Sequence, residues 1–142
     1  MLLIRARKLI ENRKKIQELF SNHLFEPTKK KSLGAVEDRF LADFRRYVEK
    51  HLVNPDLNVD ELADSLGLSR SQLYRKIKSL TNYSPNELIR IVRVQQGRQL
   101  LLQNTKSISE IAYEIGFSSP SYFTKCFKDF YHESPKDFLE RV

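Results

Sequence analysis

The feature that most constrains this chain is a pattern written twice. "VDELADSLGLS" (Val59–Ser69) aligns with "ISEIAYEIGFS" (Ile108–Ser118) at an offset of 49 residues, and "LYRKIKSLTNYSP" (Leu73–Pro85) aligns with "FTKCFKDFYHESP" (Phe123–Pro135) at an offset of 50. The second copy therefore carries one extra residue, expected near Ser119–Ser121 in the turn. Self-similarity at such a period means two similar supersecondary units. Each unit reads as a short helix, a turn containing Gly, and a Ser-capped second helix, which is the helix-turn-helix arrangement. Ala63 and Ala112 stand four residues before Gly67 and Gly116. A small residue there lets the second helix cross close to the first, and Gly gives the turn a positive φ without a Cβ penalty.

The rest of the chain reads as helix too. Residues 2–22 form a basic amphipathic helix, with Leu2, Leu9 and Ile16 seven apart and Phe20 alongside. Glu26–Gly34 is polar, holds Pro and Gly, and reads as a linker. A helix from Val36 to Leu52 turns Phe40, Phe44, Tyr47 and Val48 to one apolar face, and "NPDLN" ends it. Asn58 or Asp60 starts the first helix of unit one and Ser69 its second. Ser84-Pro85 opens a long helix through "NELIRIVRVQQGRQLLLQ", Ser109 starts "SEIAYEIGF", and Ser134-Pro135 opens the last helix. Ser followed by Pro fits an N-cap followed by the first helical position. No strand is read. The expected fold is all-α: two helix-turn-helix subdomains joined by a long central helix and preceded by an N-terminal linker helix. Residues 1–35 would be the helix and linker. Residues 36–142 would form the main body, with unit one at about 57–89 and unit two at about 106–139.

The second helix of each unit has two faces. With Leu73 toward the core, Ile77 and Leu80 fall within about 40° of it. Ser71, Arg75 and Lys78 then lie opposite, with Tyr74 on the flank. In the second copy Phe123, Phe127 and Phe130 face the core, Ser121, Lys125 and Lys128 lie opposite, and Thr124 is on the flank. Small hydrogen-bonding residues at the start of a helix allow close approach to a major groove. Arg or Lys further along it reads guanine or holds phosphate.

The charge distribution sharpens this reading. The 142 residues carry net +7, but residues 1–36 hold nine basic against three acidic residues, leaving only +1 for the remainder. Bulk charge therefore gives the main body no case for an anionic partner. Placement does: from Ser65 to Asn86 there are four basic residues (Arg70, Arg75, Lys76, Lys78) and no acidic one. Two rival readings predict different behaviour. A helical protein–protein module would show no salt-dependent DNA affinity and would tolerate Arg75→Ala. An architectural DNA binder would be indifferent to base sequence.

The composition removes other classes. Cys126 is the only cysteine, so no internal disulfide forms, and a reducing, cytoplasmic setting is expected. The thiol reads as a small half-buried residue on the second recognition helix. His23, His51 and His132 have no ligand-like spacing, so no metal is expected. The four glycines stand in no phosphate-binding context, and no pair of carboxylates stands out as acid and base, so neither cofactor nor catalysis is expected. No apolar run reaches membrane-spanning length, so no membrane contact is expected of this segment.

The paired pattern resembles the DNA-binding domain of the AraC/XylS family of bacterial transcription regulators. The residues that carry the resemblance are "ELADSLGLSRSQLYRKIKSLTNYSPNELI", "RVQQGRQLL" and "ISEIAYEIGFSSPSYFTKCFKDFYHESPKDFL", over about residues 37–142. It implies seven helices, with both second helices in successive major grooves of one duplex. It implies base contacts from Ser71, Tyr74, Arg75, Ser121 and Lys125. Ser69, Arg70, Lys78, Thr124 and Lys128 are better placed for phosphates. Gly97 departs from the family's usual Ala, which implies a softer connecting helix. "LLIRARKLIENRKKIQELF" resembles the last helix of a receiver domain running into its output domain. That implies a piece of a hybrid two-component regulator whose parent chain includes a receiver and, if it is a hybrid sensor, a membrane anchor. RNA polymerase and a second copy, docked through residues 2–22, are further partners this reading admits.

Overall fold

The structure is a computed structural model and describes residues 34–142. The N-terminal helix expected at 2–22, most of its linker and the dimer contact assigned to it lie outside those residues. Among the described residues there are seven helices and no strand. They are α1 (Ala35–Lys50), α2 (Val59–Ser65), α3 (Arg70–Thr81), α4 (Pro85–Gln103), α5 (Ile108–Glu114), α6 (Pro120–Tyr131) and α7 (Pro135–Arg141). The all-α expectation holds, and the chain divides into two compact units. One gathers the described residues up to Arg45 with Val59–Pro85, the other Arg46–Asn58 with Asn86–Val142.

Local chemistry sets the helix ends. Ser69 caps α3 by accepting from the Gln72 amide at 3.2 Å, while Gln72 Oε1 accepts from the Ser69 amide at 2.9 Å, a reciprocal capping box. Ser107 and Glu110 form the same box at the start of α5. This corrects the expectation that Ser109 starts that helix: Ser107 is already the cap, and Ser109 lies inside the first turn. Ser119 and Ser134 cap α6 and α7 ahead of Pro120 and Pro135. Asn82 and His132, fifty residues apart, end α3 and α6 in the left-handed conformation, each donating its amide to Lys78 O or Lys128 O.

In the first unit Leu41, Phe44, Leu62, Ala63, Leu73 and Ile77 are buried. Thr81 is fully buried yet satisfied: its hydroxyl donates to Ile77 O at 2.8 Å and accepts from the Tyr83 amide at 3.1 Å. Lys76 stands over the Phe40 ring, 4.4 Å from its centroid, so this cation belongs to the unit's own packing.

The second unit is built around aromatic rings. Val94, Leu101, Ile111, Ala112, Ile115, Phe117, Phe123, Cys126, Phe127 and Phe138 form one buried cluster. Phe127 sits at its centre, with ring centroids 5.8 Å from Phe123, 4.8 Å from Tyr131 and 5.8 Å from Phe138. Phe130, placed on the core stripe with Phe123 and Phe127, is only partly buried at the cluster's margin. Gly97 has a reason to be Gly. A Cβ there would stand 2.8 Å from both Ile115 Cδ1 and Phe123 Cε1. The missing methyl makes room for core side chains, so Gly97 is a packing position.

Candidate nucleic-acid interface

Each recognition helix is positioned by the turn before it. Leu68 donates its amide to Ala63 O at 2.9 Å, and Phe117 donates to Ala112 O at 3.0 Å. Gly67 at φ +73° and Gly116 at φ +87° make the reversal between helices, as the repeat predicts. Up to this point the offset is 49; from the caps Ser69 and Ser119 onward it is 50. The extra residue is therefore Ser118, one position ahead of where alignment placed it.

On α3 the structure leaves Ser71, Tyr74, Arg75 and Lys78 exposed, with Tyr74 at 49%. On α6 it leaves Ser121, Lys125 and Lys128 exposed and Thr124 half-buried. Leu73 and Ile77 on α3, and Phe123 and Phe127 on α6, are fully buried behind them. Each unit thus brings its own candidate residues together on the solvent side of one helix. Three candidates are engaged. The Ser69 hydroxyl accepts from the Gln72 amide and keeps its own proton to donate. Arg70 Nε lies 3.8 Å from Asp60 Oδ1, with both side chains more than 60% exposed, so the pair is worth little in water. Lys78 Nζ donates to Asn82 O at 3.2 Å, closing the end of α3 and leaving two ammonium protons.

Cys126 is buried on α6. Burial pushes its thiol above the ordinary range, against the smaller opposing pull of the Tyr122 hydrogen bond and of Arg90, so it is a packing residue rather than a reactive one. Among the described residues no cluster of His, Cys, Asp and Glu could hold a metal ion. No helix there is long and apolar enough to cross a membrane.

Sequence reasoning missed Arg93. It is only 4% exposed, and its guanidinium donates to Leu52 O at 2.8 Å, Asn54 O at 2.6 Å and Ile115 O at 2.9 Å. Burial lowers its pKa from the usual arginine value. A trace was legible: Arg93 interrupts the apolar run "LIRIVRV" in a helix whose Leu88, Ile89, Ile91, Val92 and Val94 are all buried. An arginine surrounded by core positions needs internal acceptors.

Residues 62–141 match the family described as a helix-turn-helix domain. Histidine kinase P4 of Formosa agariphila is 34% identical over 138 residues, covering 97% of this chain; the chain spans 10% of that protein's length. A transcriptional regulator from Chromobacterium violaceum, described as an AraC-type DNA-binding-domain protein, superposes with a TM-score of 0.68 at 29% identity, covering 76% of this chain and 96% of that one. The DNA-binding domain of AdpA, a global transcriptional factor solved in complex with a target DNA, superposes with a TM-score of 0.62 at 28% identity, covering 70% and 89%.

Proposed function

This chain belongs to the AraC-type helix-turn-helix family, and on that premise we propose that it is the sequence-specific DNA-reading part of a longer bacterial transcription regulator. The observation that carries the reading is the matched pair of exposed faces. Ser71, Tyr74 and Arg75 on α3 correspond at an offset of 50 to Ser121, Thr124 and Lys125 on α6, each set backed by a fully buried stripe. Small side chains first and a cation one turn later are what close docking in a major groove requires. Ser71, Tyr74 and Arg75 read one block of base pairs; Ser121 and Lys125 read another. Ser69, Arg70, Lys78, Thr124 and Lys128 hold phosphates.

The rest of the reading concerns the parent chain. The domain division at 35/36, a receiver domain upstream, dimerisation through residues 2–22, contact with RNA polymerase and a cytoplasmic location all belong to this proposal. The kinship with a histidine kinase of ten times the length supports a hybrid parent. The domain binds DNA and catalyses nothing in this reading. Selection of bound sequences from random duplex DNA tests it. The expected result is an asymmetric site with two short preferred blocks about ten base pairs apart. Absence of salt-dependent DNA affinity would favour a protein–protein module, and binding without sequence preference an architectural role.

A further inference from the structure

The two turns look alike in sequence and differ in what holds them. A Cβ on Gly67 would meet nothing within 4 Å, whereas a Cβ on Gly116 would collide with Leu52 O and with Arg93 Nη1. Gly67 is needed for its φ alone. Gly116 is needed for its φ and because the Arg93 guanidinium occupies the space beside it. That guanidinium ties three points of the second unit together. Leu52 and Asn54 lie in the segment leaving α1, and Ile115 is the C-cap of α5 immediately before the turn. Among the described residues no carboxylate pairs with it. In unit one no side chain stands within 4 Å of a Cβ on Gly67, while unit two retains a buried cation beside its turn. A buried guanidinium is costly unless every donor finds an acceptor, and its planar fork holds several acceptors at fixed angles.

We propose that Arg93 is a positioning residue for DNA reading by the second unit: by clamping Ile115 and the segment after α1 to α4, it sets where the turn delivers α6, and so where Ser121 and Lys125 meet the bases. The inference rests on the DNA reading above. Ser119, the cap of α6, follows Gly116 by three residues, so little chain is available to absorb a shift of the turn. Groups that read a ligand must be held to within about 0.5 Å to keep their selectivity. Arg75 on α3 belongs to the other compact unit, where a Cβ on the turn glycine Gly67 would meet nothing within 4 Å.

The test compares the 142-residue chain with Arg93→Lys, which keeps the charge but offers a compact ammonium that cannot span three carbonyls. Each chain is bound to duplex libraries with one block randomised at a time, and amide hydrogen exchange is followed at Ile115, Gly116 and Phe117, whose amides are hydrogen-bonded in the turn. Arg93→Lys is expected to lose about tenfold of its preference, equivalent to about 1.4 kcal/mol, in the block read by Ser121 and Lys125. The block read by Arg75 should keep its preference, and the three amides should exchange faster. A proportionate loss in both blocks, an unchanged second block, or unchanged exchange each overturns the proposal. If Arg93→Lys shows no cooperative melt, Arg93→Gln, whose amide can donate to two carbonyls, is judged by the same readouts. A wild-type chain that selects no second block overturns the DNA reading itself, and the exchange data then separate that failure from failure of the clamp.

Discussion

Gly67 and Gly116 hold the same place in the repeat, and at the scale of single residues they should respond differently to one added methyl. Gly67 at φ +73° faces open space, so Gly67→Ala meets only left-handed backbone strain, about 1 kcal/mol. Gly116→Ala meets similar strain and also the Arg93 guanidinium and Leu52 O. Breaking hydrogen bonds to a buried charge should add at least about 2 kcal/mol. Urea denaturation of both variants checks the difference; equal losses would show that the clamp does not hold the turn. Gly97 gives a second test. Alanine gains about 1 kcal/mol over Gly in a helix interior. Here the methyl would stand 2.8 Å from Phe123 and Ile115 in a close-packed cluster, where overpacking costs about 1–3 kcal/mol. Gly97→Ala is therefore expected to lower the thermal midpoint rather than raise it.

At the scale of elements, short helices depend on their ends. The seven-residue α5 starts at the Ser107–Glu110 capping box. Ser107→Ala should cost about 1 kcal/mol, while Ser109→Ala, a surface change, should stay within about 0.5 kcal/mol. Chemical denaturation of the pair decides which serine starts the helix. The box also carries a pH signature. Hydrogen bonds from the Ser107 backbone and hydroxyl hold the Glu110 carboxyl below the ordinary glutamate range. A folded pKa below the unfolded one contributes stability that is present above the unfolded value and lost as pH falls through the folded one. Glu110→Gln keeps the acceptor oxygen and removes the titration. It should shrink the stability lost between about pH 5 and pH 3, and an unchanged acid limb would count against the box.

At the scale of the whole molecule, the two exposed faces predict separable effects on DNA. Arg75→Ala and Lys125→Ala should each relax preference within its own block and cost about 1–3 kcal/mol on the best site. Lys78→Ala, at the far end of α3 where its ammonium already closes the helix, should weaken all sequences alike and lower the salt slope by about one. Binding to libraries with each block randomised in turn, repeated over a salt series, reads all three. Equal weakening of every sequence by Arg75→Ala or Lys125→Ala would make those side chains phosphate clamps.

The helices, their faces and the caps Ser69 and Ser134 could be read in the sequence because each depends on neighbours three or four residues away. Ser107 and Ser109 both stand ahead of the same apolar pattern, and there the structure decided for Ser107. Leu73 and Ile77, or Phe123 and Phe127, mark a buried stripe by spacing alone, and the exposed set is then whatever lies opposite. The repeat exposed the two units for the same reason, since each is a local pattern written twice. Tertiary structure decided what distant segments do to one another. It made Gly97 a gap for Phe123, placed the extra residue of the second turn at Ser118, and drew Arg93 to carbonyls 39, 41 and 22 residues away along the chain. Backbone carbonyls are present at every residue and leave no trace in a one-letter sequence, so the acceptors of a buried guanidinium emerge only when the chain is folded around it.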